Sequence, residues 1–409
     1  MVIDMNKSRI IFHIDVNNAF LSWSAIKLLE EGYKTDIRTI PSIIGGDELK
    51  RHGIVLAKST IAKKYGIKTA ETLYSARSKC PGLKVFPAEY EYYKIKSNQL
   101  FTYLSQFTPD MEVFSIDECF LDLTNTSYLY KDLVSLAYKM KDEIYNLYGF
   151  TVNIGIGNNK LCAKMASDFE KPNKVHTLYK DEIKAKMWKL DVEELFMVGK
   201  QTSKKLRKLN INTIGDLANC DLSFLKKHFK NYAVTLWEYA NGIDESRVIS
   251  NSDINKCIST SETFEIDVDD IERLKKTLLI QTQKISKTLR EQRMYANTVG
   301  IIIKTFDFKK YSRQIHLDSS TDSTKDIYNS VLKLFDMFWD GTKIRNIGVR
   351  ISNFTNTCNK QISLFEEEKP VDMIDKVLDE INDKYGNSSI TLASVMKENK
   401  KNKWGDINE

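Results

Sequence analysis

Two short apolar runs, Ile10–Asp15 and Val113–Leu123, read as buried strands, yet they carry the carboxylates of Asp15, Asp117 and Glu118. An unpaired charge in such a place costs several kcal/mol, so the fold must bring compensating charge to both strands. A divalent cation would supply it, and hard oxygen ligands select magnesium, manganese or calcium over zinc. Taken singly, each acid could equally cap a helix or pair with a nearby lysine. Two observations weigh against that reading. Asp15 is followed by Asn17, Asn18, Ala19 and Phe20, a strand running into a helix start, where backbone N–H groups receive phosphate. Adjacent Asp117 and Glu118 interrupt an otherwise hydrophobic run, which local propensity does not explain.

With 409 residues the chain exceeds one ordinary core, and two to four domains are expected. Its 61 basic side chains, for a net charge of +6, are ample for local patches that attract phosphate backbones. Six cysteines are scattered without a CxxC pair and read as reduced core residues, not a disulfide or zinc framework. The N-terminus shows no signal-peptide pattern, and no apolar run approaches the roughly 18 residues of a membrane span. A cytoplasmic protein with no membrane contact is the expectation.

Up to about Tyr179, strand-like runs (Ile10–Val16, Gly53–Ala57, Glu112–Leu123, Thr151–Gly157) alternate with helical stretches (Ala19–Glu31, Thr60–Tyr65, Tyr90–Phe107, Lys131–Tyr148, Asn159–Phe169), an α/β or α+β pattern. Leu190 to Ile249 reads as a small helical domain with a basic cluster at Lys200, Lys204, Lys205, Arg207 and Lys208. From Ser259 the pattern predicts strands at Ser259–Phe264, Ala296–Phe306, Ser312–Leu317 and Ile344–Phe354, with helices at Asp270–Glu291 and Lys325–Trp339: a sheet covered by two helices. A last helix is expected at Val371–Tyr385, and disorder from Glu398 to Glu409.

Three acids from separated strands brought to one point suit a two-metal phosphoryl-transfer site. Cations for the phosphate oxygens should lie nearby. Gly157 ends a strand and opens a helix with Lys160 and Lys164 at i, i+4; Thr60 and Lys63 offer a weaker pair at i, i+3. A polymerase, a nucleotidyl cyclase or a two-metal nuclease could use such carboxylates, and a catalytically silent DNA-binding protein is the alternative of another class.

The strings His13-Ile14-Asp15-Val16-Asn17-Asn18-Ala19-Phe20, Ser115-Ile116-Asp117-Glu118 and Gly155-Ile156-Gly157-Asn158-Asn159-Lys160-Leu161-Cys162-Ala163-Lys164-Met165-Ala166-Ser167, in this order, resemble the Y-family translesion DNA polymerases of the bacterial type. The resemblance covers roughly residues 10 to 355. It implies an α+β multidomain right-hand polymerase: palm over 1–35 and 75–180, small fingers over 36–74, a helical, helix-hairpin-helix-like thumb over 181–249, an α/β little finger over 250–357, and a tail over 358–409. It implies two magnesium ions, with manganese as a substitute, held by Asp15, the Val16 carbonyl, Asp117 and Glu118. Phe20 matches the steric gate, which excludes a 2′-hydroxyl by clash, and Lys164 matches the triphosphate-binding lysine.

The chain departs from the family at the fingers, where Thr60 and Lys63 stand in place of a tyrosine and an arginine, so the bidentate guanidinium fork is lost. Asn17 stands where many relatives carry a third acid. Gly199, Lys200 and Lys204 in the thumb, and Lys304, Lys309, Lys310, Arg313, Arg345 and Arg350 in the little finger, are expected to contact DNA backbone. Gln361-Ile362-Ser363-Leu364-Phe365 resembles the peptide that binds the bacterial sliding clamp (β subunit), with Gln361, Leu364 and Phe365 as anchors. Expected partners are primer–template DNA, deoxynucleoside triphosphates and that clamp, with the protein a monomer.

Overall fold

Alternation along Ile11-Phe12-His13-Ile14-Asp15-Val16 decides which side of the first strand carries chemistry. In a computed structural model, which describes residues 9–46, 53–250, 256–357, 374–386 and 389–390, Phe12, Ile14 and Val16 enter the main hydrophobic core. Successive side chains point to opposite faces of a strand, so Ile11, His13 and Asp15 point to the other side. Two units form, one over residues 1–48 and 52–253, the other over 49–51 and 254–409.

The first unit runs β1 (Ile11–Val16), α1 (Ala19–Glu30), β2 (Ser42–Gly45), β3 (Val55–Lys58), α2 (Thr60–Lys64), α3 (Leu73–Lys79), β4 (Lys84–Phe86), α4 (Tyr90–Leu104), β5 (Met111–Val113) and β6 (Glu118–Asp122). It continues with α5 (Leu133–Tyr148), β7 (Val152–Gly157), α6 (Lys160–Asp168), β8 (Val175–Leu178) and five short helices, α7 (Ile183–Lys186), α8 (Lys200–Arg207), α9 (Ile214–Ala218), α10 (Leu222–Phe229) and α11 (Tyr232–Ala240). The central sheet has the order β5-β6-β1-β7-β8, antiparallel except for the β7–β8 pair. Trp23 of α1, Tyr93 and Leu100 of α4, and Met140 and Ile144 of α5 pack on the face that carries Phe12 and Ile14. On the other face Ile11 and Phe120 meet Ala163 of α6.

Helix α6 can press this close because β7 is bare where the two meet. A Cβ on Gly155 would collide with the Ala163 carbonyl oxygen and the Ser167 nitrogen, and one on Gly157 would lie 2.7 Å from the Ala163 nitrogen. Sheet β3-β2-β4 packs with α2 and α3 over Ile43, Val55, Ala62 and Leu73, and helices α7 to α11 share a core of Leu206, Ile214, Leu217, Leu225 and Leu236.

One sequence expectation changes here. The single strand expected over Glu112–Leu123 is a hairpin, β5 and β6, with Phe114 to Asp117 in its turn. The Phe114 and Ser115 amides both donate to the Glu118 carbonyl, and the Ser115 hydroxyl reaches Asp117 Oδ1 at 2.6 Å. Serine and aspartate two residues apart offer the backbone a local partner that competes with the ladder, and Val113 and Phe114 are left about half exposed (53% and 47%).

The second unit holds β9 (Cys257–Val268), α12 (Ile271–Glu291), β10 (Tyr295–Thr305), β11 (Lys310–Thr321), α13 (Thr324–Phe338), β12 (Ile344–Thr355) and α14 (Ile374–Tyr385). The strands form an antiparallel sheet of order β11-β10-β12-β9. Its buried face, with Val299, Ile301, Val349 and Ile351, packs under Leu278 and Ile285 of α12 and Val331 and Phe335 of α13, the two-helix cover that the sequence pattern predicts. Helix α14 buries no side chain and is held by charge: Asp375 and Asp379 pair with Arg290, and Asp383 with Lys287. Among the described residues no helix is long and apolar enough to cross a membrane. The expected clamp anchors Gln361, Leu364 and Phe365, and the expected disordered end from Glu398, lie outside the described residues.

Candidate active site

Asp15 and Glu118 stand directly opposite one another on β1 and β6. Like charges in that relation are destabilising, and two lysines relieve them. Lys164, on α6, places Nζ 3.3 Å from Asp15 Oδ2 and 3.0 Å from Glu118 Oε1. Lys171, just beyond α6, reaches Asp15 Oδ2 at 2.9 Å and Asp168 at 2.8 Å, and Asp168 also lies 3.4 Å from Lys164. Asp117, in the hairpin turn, has its pKa raised by burial and by the negative charges of Asp15 and Glu118. The three acids predicted from the sequence are therefore brought together by the β6–β1 pairing and the turn before it.

His13 shares this face. Its Nδ1 lies 2.8 Å from the Ser167 hydroxyl and its Nε2 3.6 Å from Glu118. Burial, helped by the charge of Lys164, lowers its pKa to about 3, which keeps the ring neutral beside the cations. Lys160 does not join Lys164. It pairs with Glu112 at 2.7 Å and lies over the Phe120 ring.

The surroundings suit a hard cation. Among the described residues Asp15, Glu118 and Asp168 pair with two ammonium groups, those of Lys164 and Lys171, and Asp117 adds its charge beside them, leaving an excess of negative charge on oxygen donors, the ligand type that magnesium and manganese take. Among the described residues no group of three or more His, Cys, Asp or Glu side chains converges as ligands, and Asp15 and Glu118 are turned toward lysine.

Phe20 sits on the first turn of α1, after Asn18 in the left-handed region (φ 51°). The Asn18 amide donates to the Lys58 carbonyl at 2.8 Å, tying the helix start to β3. The Phe20 ring, partly buried, stacks on Tyr93 with centroids 4.7 Å apart and meets the edge of Tyr90. Thr60 and Lys63 are exposed on α2. Ser59 is committed elsewhere, since its buried hydroxyl caps α2 by accepting from the Ala62 amide. Lys58 has its Nζ on the Thr69 hydroxyl, and burial and the nearby charge of Lys63 lower its pKa.

In the helical part of the first unit, Lys200, Lys204 and Lys208 line a shallow groove with Glu193, Ser203 and Arg207, and Arg207 is paired with Asp191 and Glu193. Gly199 precedes α8, but the left-handed residue of the hairpin is Met197 (φ 71°), and the element before the hairpin is a 3-10 turn at Val192–Glu194 in place of the expected helix. In the second unit, register sets Thr263, Asn346, Lys304 and Lys310 in one row across the sheet, and with Ser259, Ser261 and Arg345 they line a polar cavity. Arg313 does not join them. It pairs in register with Ile301, on the helix-covered face, and its guanidinium lies 5.1 Å from the Phe338 ring centre.

Sequence reasoning missed His13, Lys171 and Asn153 as parts of the site. His13 and Asn153 were legible in principle: strand alternation puts His13 beside Asp15, and Asn153 interrupts an apolar strand. Lys171 carried no signal in spacing.

Residues 14–168 match the impB/mucB/samB family, residues 255–364 its C-terminal domain, and residues 193–244 the family described as DNA polymerase-iota, thumb domain. The chain is 46% identical over 396 residues to DNA polymerase IV of Clostridium acetobutylicum, covering 96% of this chain and 100% of that protein. It is 34% identical over 401 residues to DNA polymerase IV of Acetivibrio thermocellus (95% and 98% covered), and 32% identical over 400 residues to DNA polymerase IV 2 of Bacillus subtilis (96% of each). A solved Y-family DNA polymerase chimera of Dbh and Dpo4 shares the fold, with a TM-score of 0.71 at 22% identity, covering 84% of this chain and 98% of that one.

Proposed function

The chain belongs to the Y-family DNA polymerases, the impB/mucB/samB family, and from that membership we propose which of its residues carry the reaction. It is a DNA-directed DNA polymerase of the low-fidelity translesion class, and its family works with divalent metal ions. The observation that carries the assignment is the meeting of Asp15, Asp117 and Glu118 at one end of the β6–β1 pair, beside two lysines and the start of α1.

Asp15, Asp117, Glu118 and the Val16 carbonyl would hold two magnesium ions, with manganese as a substitute. When bound, such ions lower the pKa of an attacking hydroxyl and stabilise the leaving pyrophosphate. Lys171, 36% exposed against 10% for Lys164, is the cation better placed to leave Asp15 for a triphosphate. Lys164, to which the resemblance gives the triphosphate, is enclosed by Asp15, Glu118 and Asp168, so it would reach the phosphates while staying close to the acids and offsetting their repulsion. Lys58, Lys63 and Thr60 supply the remaining phosphate contacts from the fingers. Phe20, braced by Tyr93, sets the floor beneath the sugar.

The palm, fingers, thumb, little-finger and tail boundaries given above follow the same reading. Lys200 and Lys204 with the Gly199 hairpin, and Lys304, Lys310 and Arg345 on the open sheet face, would hold primer–template DNA by its backbone. The protein would act as a cytoplasmic monomer recruited to the sliding clamp through Gln361, Leu364 and Phe365. In a primer-extension assay Asp117→Ala and Glu118→Ala are expected to abolish nucleotide addition while duplex binding persists. Near wild-type turnover by either variant would refute the metal assignment.

A further inference from the structure

Asn153, on β7, is cross-strand partner to Asp15 and fully buried (0% exposed). An asparagine amide has two donor hydrogens and two acceptor lone pairs, and here all four are used. Nδ2 donates to the Ser167 carbonyl at 2.9 Å and the Glu170 carbonyl at 2.7 Å. Oδ1 accepts from Asn17 Nδ2 at 3.0 Å and from the Lys174 amide at 3.2 Å. Asn17, also buried, completes the grip by accepting from the Asn173 amide at 2.8 Å. The chain leaving α6 is thus held at Ser167, Glu170, Asn173 and Lys174, and Lys171 lies between the held points with its ammonium on Asp15.

We infer that Asn17 and Asn153 are a pair of positioning residues that fix the backbone of residues 170–174 so that Lys171 meets Asp15 and, through it, the incoming triphosphate. The pair requires an amide at position 17. A carboxylate there would set an oxygen against Asn153 Oδ1. Turning the Asn153 amide over offers no escape, because its oxygen would then face the Ser167 and Glu170 carbonyls. The position that holds a third acid in many relatives is therefore committed in this chain to orienting a cation. The nucleotide part of the inference rests on the triphosphate role assigned to Lys171 above; the positioning part does not.

Two readouts on the full-length chain separate them. In the free protein, lysine acylation followed by mass spectrometry measures how firmly each ammonium is held. Asn17→Asp and Asn17→Ala should speed modification of Lys171 several-fold, while Lys160, paired with Glu112, keeps its rate as the internal reference. An unchanged Lys171 rate overturns the positioning role whatever the protein does. In primer extension, Asn17→Asp should raise KM for the nucleotide by about tenfold with kcat and duplex affinity little changed, the pattern of lost ground-state binding. Lys171→Ala should do the same, and the double variant should be no worse than Lys171→Ala, since residues acting through one contact are not additive. A general loosening of the fold would add to the Lys171→Ala loss and would lower the melting temperature of Asn17→Ala in step, and that result would overturn the inference. Faster Lys171 acylation with unchanged nucleotide KM would uphold the pair and overturn the triphosphate role of Lys171.

Discussion

Gly155→Ala tests the packing that sets the site. The added Cβ would overlap the Ala163 carbonyl oxygen and the Ser167 nitrogen, both backbone atoms inside α6, so no side-chain rotation relieves it. Ordinary contact requires roughly 3.4 Å or more between such atoms, and the helix must withdraw from the sheet by about 1 Å or more. Overpacking of this kind costs about 1–3 kcal/mol, sometimes more, which for a unit of this size corresponds to a fall in melting temperature of about 2–12 °C. The larger effect should be on activity. Helix α6 carries Lys164, and the chain beyond it carries Lys171, so withdrawal moves both ammonium groups relative to Asp15 and Glu118. A misplacement of about 1 Å can cost on the order of 100-fold in rate. Thermal unfolding and single-turnover primer extension, with Gly82→Ala as control, read the two effects; nothing lies within 4 Å of a Cβ at Gly82, and that variant should behave as wild type. If Gly155→Ala extended primers at the wild-type rate, the close approach of α6 would not be what positions the lysines.

Two further outcomes are expected. Phe20→Ala should let ribonucleotides be incorporated at a sharply higher rate, because the ring held on Tyr93 no longer occupies the space of a 2′-hydroxyl; an unchanged sugar preference in extension with ribonucleotides would contradict the gate. Lys310→Ala should weaken duplex binding evenly across sequences and reduce the dependence of log affinity on log salt by about one contact, whereas Arg313→Ala, on the opposite face of the sheet, should leave the salt slope alone. Equal losses from the two would refute the assignment of faces.

The succession of strands and helices was legible because hydrophobic period sorts one from the other, and the two-helix cover of the second unit's sheet follows from the same signal; the right-hand polymerase architecture came from the motif resemblance, not from periodicity. The hairpin at Asp117 was not legible, because a run of apolar residues looks continuous until the serine and aspartate side chains claim the backbone between β5 and β6. Arg313 shows a second limit. Composition places an arginine on a strand, but only the register with Ile301 says which face it takes, and a slip of one residue would reverse it.

The acids were visible, and of their two lysine partners Lys164 was singled out but Lys171 was not, for a physical reason. Asp15 and Glu118 announce themselves locally, as charges inside apolar runs. The groups that make them tolerable are Lys164 and Lys171, 149 and 156 residues from Asp15, the first on a helix that the motif marks and the second on a loop whose sequence carries no such mark. Their placement depends on a glycine that lets the helix approach and on two asparagines that fix the loop, none of them charged. A buried carboxylate pair therefore predicts that countercharge must exist, but not which lysine supplies it. That choice is made by the uncharged residues of β7, Gly155, Gly157 and Asn153, which decide how near α6 and its exit can come.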